Sequence, residues 1–116
     1  MPMVSVIMPV FNAGDGSELE QAIQSILQQT FADFELIICD DASTDDTWEH
    51  LQEWAAMDSR IVLLQNAVNQ KAGAARNRCI NQSQGRFIAF MDADDISAPN
   101  RLQTQLEFLK NHPEIA

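Results

Sequence analysis

The sequence has 116 residues, a hydrophobic fraction of 46% and a formal net charge of −10 at pH 7, which indicates one acidic globular domain. This charge argues against nucleic acid and anionic membranes as partners, because polyanion binding requires a surface rich in Lys and Arg. No stretch approaches the roughly 20 apolar residues of a membrane helix, and the first apolar run lacks the basic leader of a signal peptide. We therefore expect a cytoplasmic protein, membrane-peripheral at most in a full-length parent.

Four short runs are apolar on both faces, as expected for buried parallel strands. These predicted strands span residues 4–10, 34–39, 60–64 and 86–91. The segments between and after them repeat apolar residues at helical spacing, which predicts helices over residues 19–27, 48–55, 72–80 and 102–109. The two cysteines, Cys39 and Cys79, lie within these apolar or helical segments, so we expect two buried free thiols and a reducing compartment.

Polar residues and a proline mark the expected helix starts. Ser17 and Glu20 predict a capping box at the start of the first helix. Ser43 or Thr44 is the expected cap of the second helix, and Pro99 is expected near the first turn of the fourth.

The alternation of strands and helices predicts an α/β fold with an open, mostly parallel sheet and helices on both faces. Right-handed crossovers favour the Rossmann-like strand order 3-2-1-4. In such a sheet the strand order reverses between the first and fourth strands, and ligands bind at the carboxyl ends of the strands beside that point. The sequence therefore predicts which loops carry chemistry.

Acidic residues crowd two of these strand ends. Asp40 and Asp41 follow the second strand, whereas Asp92, Asp94 and Asp95 follow the fourth. We expect all five carboxylates to share one crevice, where their mutual repulsion favours a hard divalent cation such as Mg²⁺ or Mn²⁺. Taken singly, either group also fits a simpler role as a helix cap.

Four segments together resemble the family 2 glycosyltransferases of the GT-A fold. In chain order they read VSVIMPVFNAG, ELIICDDASTDDT, NQKAGAARN and GRFIAFMDADD. The resemblance covers residue 3 to about residue 109. It implies a nucleotide-sugar donor, usually a UDP sugar, a divalent metal, and an acceptor hydroxyl on a saccharide, a lipid or another molecule. It also implies transfer with inversion.

The resemblance implies roles for individual residues as well. The first-strand loop that borders the nucleoside corresponds to Pro9, Val10, Phe11 and Asn12. Asp41 is similar to the acid that hydrogen-bonds the uracil ring, with Asp40 supporting its loop. Asp92 and Asp94 match the Asp-x-Asp motif around Ala93. Asp92 would lie toward the ribose and the metal, whereas Asp94 would ligate the metal that bridges the donor diphosphate.

Some charged residues keep two interpretations. Lys71 and Arg76 occupy the segment that approaches the nucleotide in this family, although both also fit solvated charges on a helix surface. Asp95 is expected to support the motif without ligating the metal. Asp45 and Asp46 we interpret as first-turn residues that the helix dipole favours.

The resemblance stops short of catalysis. Inverting members need a general base from a later segment, and no residue of this sequence matches it. We therefore predict no catalytic residue and expect residues 1–116 to form one domain, the N-terminal donor-binding part of a longer glycosyltransferase domain. An apolar edge exposed in such a part would favour self-association.

Three other functions remain as alternatives. A nucleotide-binding module without activity fits the same residues. A receiver-type signalling domain would carry its Asp pair after the first strand and a Lys after the last, and neither is present. A sugar-nucleotide pyrophosphorylase would need a basic, Gly-rich first loop, whereas FNAGDGSE contains no basic residue.

Overall fold

A computed structural model describes residues 2–112, in which four strands and four helices alternate. In chain order the elements are β1 (Val4–Val10), α1 (Ser17–Leu27), β2 (Phe34–Asp40), α2 (Thr47–Met57), β3 (Ile61–Gln65), α3 (Lys71–Gln82), β4 (Phe87–Phe90) and α4 (Arg101–Asn111). The strands form one sheet in the order β3-β2-β1-β4, and every neighbouring pair is parallel. The predicted fold class and strand order are therefore confirmed.

The core lies in two layers because successive residues of a strand face opposite sides of the sheet. On one side, Val6 and Met8 of β1 belong to a large cluster that contains apolar residues of α1, α2 and α4. On the other side, Ile7 packs in a smaller cluster with Ala75 and Cys79 of α3. Helices thus cover both faces of the sheet, as predicted. No helix within residues 2–112 combines the length and apolarity needed to cross a bilayer.

The predicted capping box at the start of α1 is wrong. Gly16, with a φ of 83°, occupies the N-cap position and makes no side-chain cap. The backbone N–H and the hydroxyl of Ser17 both donate to Oδ1 of Asp15, at 3.0 and 2.8 Å. The Ser17 hydroxyl, which a capping box with Glu20 would need, is therefore bound to the carboxylate of Asp15 instead.

The predicted cap of α2 is also wrong. The helix begins at Thr47 after Asp46, so Ser43 and Thr44 lie outside it, in the loop that follows β2. The backbone N–H of Thr47 instead donates to Oδ1 of Asp45 at 3.1 Å. This leaves the side chains of Ser43 and Thr44 available for contacts with another loop.

Both cysteines are buried and free, as predicted. Cys39 lies at the end of β2 and Cys79 on the inner face of α3, where its Sγ lies 3.8 Å from the carbonyl oxygen of Ile37. The hydrogen bond with Cys39, together with burial, raises the pKa of Cys79 above its ordinary value. The same contact lowers the pKa of Cys39, so it is burial that keeps reagents away from both thiols.

Candidate functional site

Two cavities flank the carboxyl end of β1 and share one wall, formed by Pro9, Val10 and Phe11. The first, of about 250 Å³, is otherwise lined by Asp41, Asn69, Lys71 and Ala72. The second, of about 340 Å³, is otherwise lined by Asn12, Ala13, Glu18, Leu19, Ala93 and Asp94. The loops that follow β1, β2 and β4 therefore converge on one mouth of the sheet, where the strand order reverses.

Asp41 is oriented by groups from the segment that follows β3. Its side chain is almost fully buried, and its Oδ1 accepts hydrogen bonds from the side-chain amide of Asn66 at 2.9 Å and the backbone N–H of Gln70 at 2.8 Å. Asn69 donates to the backbone carbonyl of Asp41 at 3.2 Å. Asp41 is therefore held in a single orientation at the edge of the first cavity.

Asn66 is a site residue that sequence reasoning missed. It is buried directly after β3, and its Oδ1 accepts a hydrogen bond from Nη1 of Arg78 at 2.6 Å. The same Arg78 nitrogen also donates to the carbonyl of Gln65 at 2.8 Å. A signal for Asn66 was present, since an amide directly after a buried strand occupies the position that Asp41 holds after β2.

Asp40 lines neither cavity and supports its own loop. Its side chain is fully buried, and its Oδ1 accepts hydrogen bonds from the backbone N–H and the hydroxyl of Ser43. Its Oδ2 is buried without a hydrogen-bond partner. The role expected for Asp40 as a support of the loop therefore agrees with its contacts.

The loop after β1 is bound along its backbone to the loop after β2. Three consecutive N–H groups donate to side-chain oxygens: Asn12 to Ser43 Oγ at 2.9 Å, Ala13 to Thr47 Oγ1 at 2.8 Å and Gly14 to Asp45 Oδ2 at 3.1 Å. In return, Oδ1 of Asn12 accepts the N–H of Thr44 at 2.8 Å. The side-chain oxygen of Asn12 is thus hydrogen-bonded within the protein, although Asn12 also lines the second cavity.

The interpretation of Asp45 as a simple first-turn residue is wrong. Besides the N–H groups of Gly14 and Thr47, its carboxylate accepts the hydroxyl proton of Thr47 at 2.5 Å. The Thr47 hydroxyl, followed by the two backbone N–H groups, holds the pKa of Asp45 below its ordinary value of 3.8. Asp45 is therefore a charged junction between two loops.

The acidic residues form two groups instead of one. Oxygen atoms of Asp92, Asp94 and Asp95 all lie within 4.8 Å of one another, and all three residues are exposed. Neither Asp40 nor Asp41 belongs to this group, so the expectation of five carboxylates in one crevice is corrected. Asp95 lies beside the other two because its backbone N–H donates to the Asp92 carbonyl in a tight turn at 3.1 Å.

The three carboxylates fit a hard divalent cation. Within residues 2–112, no Lys or Arg forms an ion pair with any of them. Carboxylate oxygens are the ligands that Mg²⁺ and Mn²⁺ prefer, and exposed acids leave room for water and phosphate oxygens to complete the coordination. Of the three, Asp94 lines the second cavity.

The two basic residues singled out by sequence lie in different surroundings. Lys71 is exposed and lines the first cavity at the start of α3. Arg76 lines neither cavity; its guanidinium lies over the ring of Phe90, 5.4 Å from the centroid, and its Nε is buried without a hydrogen-bond partner. Only Lys71 therefore borders the space that a ligand would fill.

Backbone strain is concentrated at the same loops. Among residues 2–112, the non-glycine residues with positive φ are Asn12 at 48°, Ala42 at 63° and Lys71 at 75°. Each such conformation costs on the order of 1–3 kcal/mol and persists only where surrounding contacts hold it. Strain of this kind is typical of ligand-binding sites.

Comparison with known proteins identifies the class to which this fold and site belong. The family model described as "Glycosyl transferase family 2" matches residues 5–116. The chain therefore belongs to glycosyl transferase family 2. The resemblance read from the four sequence segments is confirmed.

Individual relatives agree with that assignment. The chain is 44% identical over 111 residues to the UDP-Glc:alpha-D-GlcNAc-diphosphoundecaprenol beta-1,3-glucosyltransferase WfgD of Escherichia coli, covering 95% of this chain and 42% of WfgD. It superposes on S. aureus TarS in complex with UDP with a TM-score of 0.85 and 28% identity, covering 94% of this chain and 32% of TarS.

A third relative was solved with both a donor and a metal ion. The mannosyltransferase PcManGT from Pyrobaculum calidifontis, in complex with GDP-Man and Mn²⁺, superposes with a TM-score of 0.84 and 25% identity, covering 93% of this chain and 32% of PcManGT. The chain spans about 40% of the length of the curated relatives it matches.

Proposed function

We propose that this chain binds the nucleotide-sugar donor of a glycosyl transfer reaction, with a UDP sugar as the preferred donor. The observation that carries the proposal is the pair of cavities that share the wall from Pro9 to Phe11. One cavity is bordered by the oriented carboxylate of Asp41 and the other by Asp94. A nucleoside on one side of this wall and a diphosphate on the other would fit that arrangement.

The first cavity suits the base of the nucleotide. A carboxylate held by Asn66 and Gln70 can accept the imide N–H of uracil, which is a donor that cytosine and adenine lack at that ring position. Phe11 is half exposed and supplies an apolar surface against which a ring can pack. The complex of TarS with UDP supports this choice of nucleotide.

The second cavity suits the diphosphate and a divalent cation. Asp94 and Asp92 would hold Mg²⁺ or Mn²⁺, as the complex of PcManGT with Mn²⁺ supports. When bound, the cation would neutralise the negative charge that develops on the leaving diphosphate. Lys71 carries a further positive charge at the neighbouring cavity. Arg76 lines neither cavity, so it would act on the donor only through the longer-range effect of its charge.

We further propose that the 116 residues form the donor-binding part of a longer, inverting glycosyltransferase domain. The match to about 40% of the length of the relatives supports this proposal. The general base and the acceptor-binding residues would then lie in the rest of the domain, so that this chain by itself binds the donor without transferring sugar. The name of WfgD supports a lipid-linked saccharide as acceptor. We propose in addition that the full-length protein acts in the cytoplasm, at the periphery of a membrane.

For the 116-residue chain by itself, we propose self-association through the open edge of β4. Ile88, Phe90 and Phe108 are 40–51% exposed there, around a cavity of about 540 Å³. The backbone N–H groups of Phe87 and Met91 donate toward β1. Because alternate N–H groups of a strand point in opposite directions, those of Ile88 and Phe90 face outward from the edge of the sheet.

Light scattering should show a dimer that Ile88→Lys dissociates, whereas Val68→Lys, at another exposed apolar position, should leave it intact. A monomer at high concentration would contradict the proposal.

Calorimetric titration tests donor binding. The chain should bind UDP in the presence of Mn²⁺ and lose most of that affinity when EDTA is added. Asp94→Ala should reproduce the effect of EDTA, whereas Asp46→Asn, which removes an exposed acid at the start of α2, should leave the affinity unchanged. Binding of UDP that neither EDTA nor Asp94→Ala weakens would contradict the metal role, and no binding at all would contradict the donor role.

A further inference from the structure

We infer that Asp45 is a positioning residue for the donor site, which it serves by fixing the backbone of residues 12–14 without touching the nucleotide. The inference rests on the proposed donor-binding function and adds a residue that neither cavity includes in its lining. Two of the three N–H groups that tie the first loop down depend on Asp45, since Gly14 donates to it directly and Ala13 donates to the Thr47 hydroxyl that it orients.

The direction of the Thr47 hydroxyl proton follows from which neighbouring groups can donate and which can accept. A threonine hydroxyl has one proton to donate and lone pairs that accept. Because the proton of Thr47 is directed to Oδ1 of Asp45 at 2.5 Å, a lone pair is left for the N–H of Ala13 at 2.8 Å. An ionised carboxylate cannot donate, so it permits only this arrangement. The charge of Asp45 therefore sets the orientation of both links.

Apart from the bond that the N–H of Thr44 donates to Oδ1 of Asn12, the loop is held at this point through its own backbone N–H groups. Within residues 2–112, no backbone carbonyl accepts the N–H groups of Asn12, Ala13 or Gly14. All three go to side chains that lie 31 to 34 residues away in the sequence. Asn12 has a positive φ of 48°, a conformation that persists only where surrounding contacts hold it. We expect the loop to leave this conformation if these contacts are lost. Phe11 and Asn12, which border the cavities, would move with it.

A cap of α2 alone would not need this arrangement. Capping requires only the bond from the Thr47 N–H to Oδ1, whereas the second oxygen, Oδ2, is used for Gly14 in the other loop. The use of both oxygens therefore distinguishes Asp45 from a residue that only caps α2.

Asp45→Asn leaves one accepting oxygen where the carboxylate has two. The asparagine oxygen can accept a hydrogen bond from Thr47 or from Gly14, but not from both. The NH₂ group then lies opposite the N–H of the other residue, and because both groups are donors, that hydrogen bond is lost. We expect the affinity for UDP with Mn²⁺ to fall about tenfold, as the loss of one hydrogen bond to a charged acceptor predicts. Asp46→Asn is the matched control, because the Asp46 carboxylate makes no hydrogen bond within the described residues, and it should bind as the unmodified chain does.

A conservative pair at position 47 tests the hydroxyl. Thr47→Ser keeps the oxygen and should retain the affinity, whereas Thr47→Val keeps the shape without the oxygen and should lose about as much as Asp45→Asn. The ¹H–¹⁵N spectrum supplies a readout that a general loss of stability would not reproduce. In Asp45→Asn, the amide resonance of Gly14 should shift, whereas resonances at the amino end of the sheet should stay in place.

The outcomes distinguish this inference from the donor proposal. If the unmodified chain gives no heat with UDP and Mn²⁺, the donor proposal fails and the inference fails with it. If the unmodified chain binds and Asp45→Asn binds equally well, only the inference is overturned. A loss of affinity accompanied by shifts throughout the spectrum would also overturn it, because Asp45 would then stabilise the whole fold instead of one loop.

Discussion

The side-chain amide of Asn66 donates a hydrogen bond of 2.9 Å to the carboxylate of Asp41, and both residues are buried at the carboxyl ends of neighbouring strands. Arg78 in turn donates to the Asn66 oxygen at 2.6 Å, which determines the direction in which the amide points. A guanidinium on α3 therefore orients, through one asparagine, the carboxylate that we propose for the nucleotide base. The buried carboxylate is stabilised without a direct ion pair.

Asn66→Ala should weaken both the fold and the site. The change removes a donor from a buried carboxylate, so the free energy of unfolding should fall by about 1–3 kcal/mol. The affinity for UDP should fall as well, because Asp41 loses its orientation. Urea denaturation and calorimetry measure the two effects. Asn81→Ala, at an exposed position on α3, serves as the control. If the two variants had the same free energy of unfolding and the same affinity for UDP, the role given to Asn66 would be contradicted.

Gly85 should not tolerate a side chain. A Cβ placed there would lie 2.5 Å from the backbone nitrogen and from the hydroxyl oxygen of Ser5, a distance that requires β1 or the turn before β4 to shift. The N–H of Gly85 also donates to that hydroxyl at 2.7 Å. Gly85→Ala should therefore lower the free energy of unfolding by about 2 kcal/mol.

Gly73 is the matched control for that substitution. It lies in α3, and a Cβ there would have no heavy atom within 4 Å. Gly73→Ala should raise the free energy of unfolding by about 0.5–1 kcal/mol, because alanine loses less conformational entropy in a helix than glycine does. If urea denaturation showed that both substitutions change the free energy of unfolding in the same direction, the packing described around Gly85 would be contradicted.

The two thiols should be unreactive in the folded protein. Cys39 and Cys79 are both fully buried, so a reagent in solution cannot reach either sulfur in the folded chain. An aromatic disulfide reagent should release no chromophore from the native chain and two equivalents after unfolding in urea. Ser59→Cys, at an exposed position, should react at once under native conditions. Rapid reaction of the unmodified chain would contradict the burial of the pair.

The strands and their order could be predicted because each rests on a local or general rule. Runs apolar on both faces mark buried strands, and the handedness of crossovers limits the order. The predicted limits of the first strand, 4–10, agree with β1, which is paired on both sides. The predicted strand 86–91 is longer than β4, which pairs only with β1 among the described residues.

The contacts of the site could be predicted only in part. Asp41 was found because it follows an apolar run, but its partners Asn66 and Gln70 lie 25 and 29 residues further along the chain. Nothing local to either residue reveals that pairing. Asp45 was misjudged for the same reason, since its first-turn position is visible in the sequence, whereas its bond to Gly14 depends on how two loops meet.

The most direct test of the account is whether the loops after β1, β2 and β4 surround a single nucleotide. Titration of the ¹⁵N-labelled chain with UDP and Mg²⁺ should shift the amide resonances of Phe11, Asp41 and Ala93 along one saturable curve. The resonances of Val4 and Phe34, at the amino end of the sheet, should not move. Shifts at the amino end, or separate curves for the three loops, would contradict a common site.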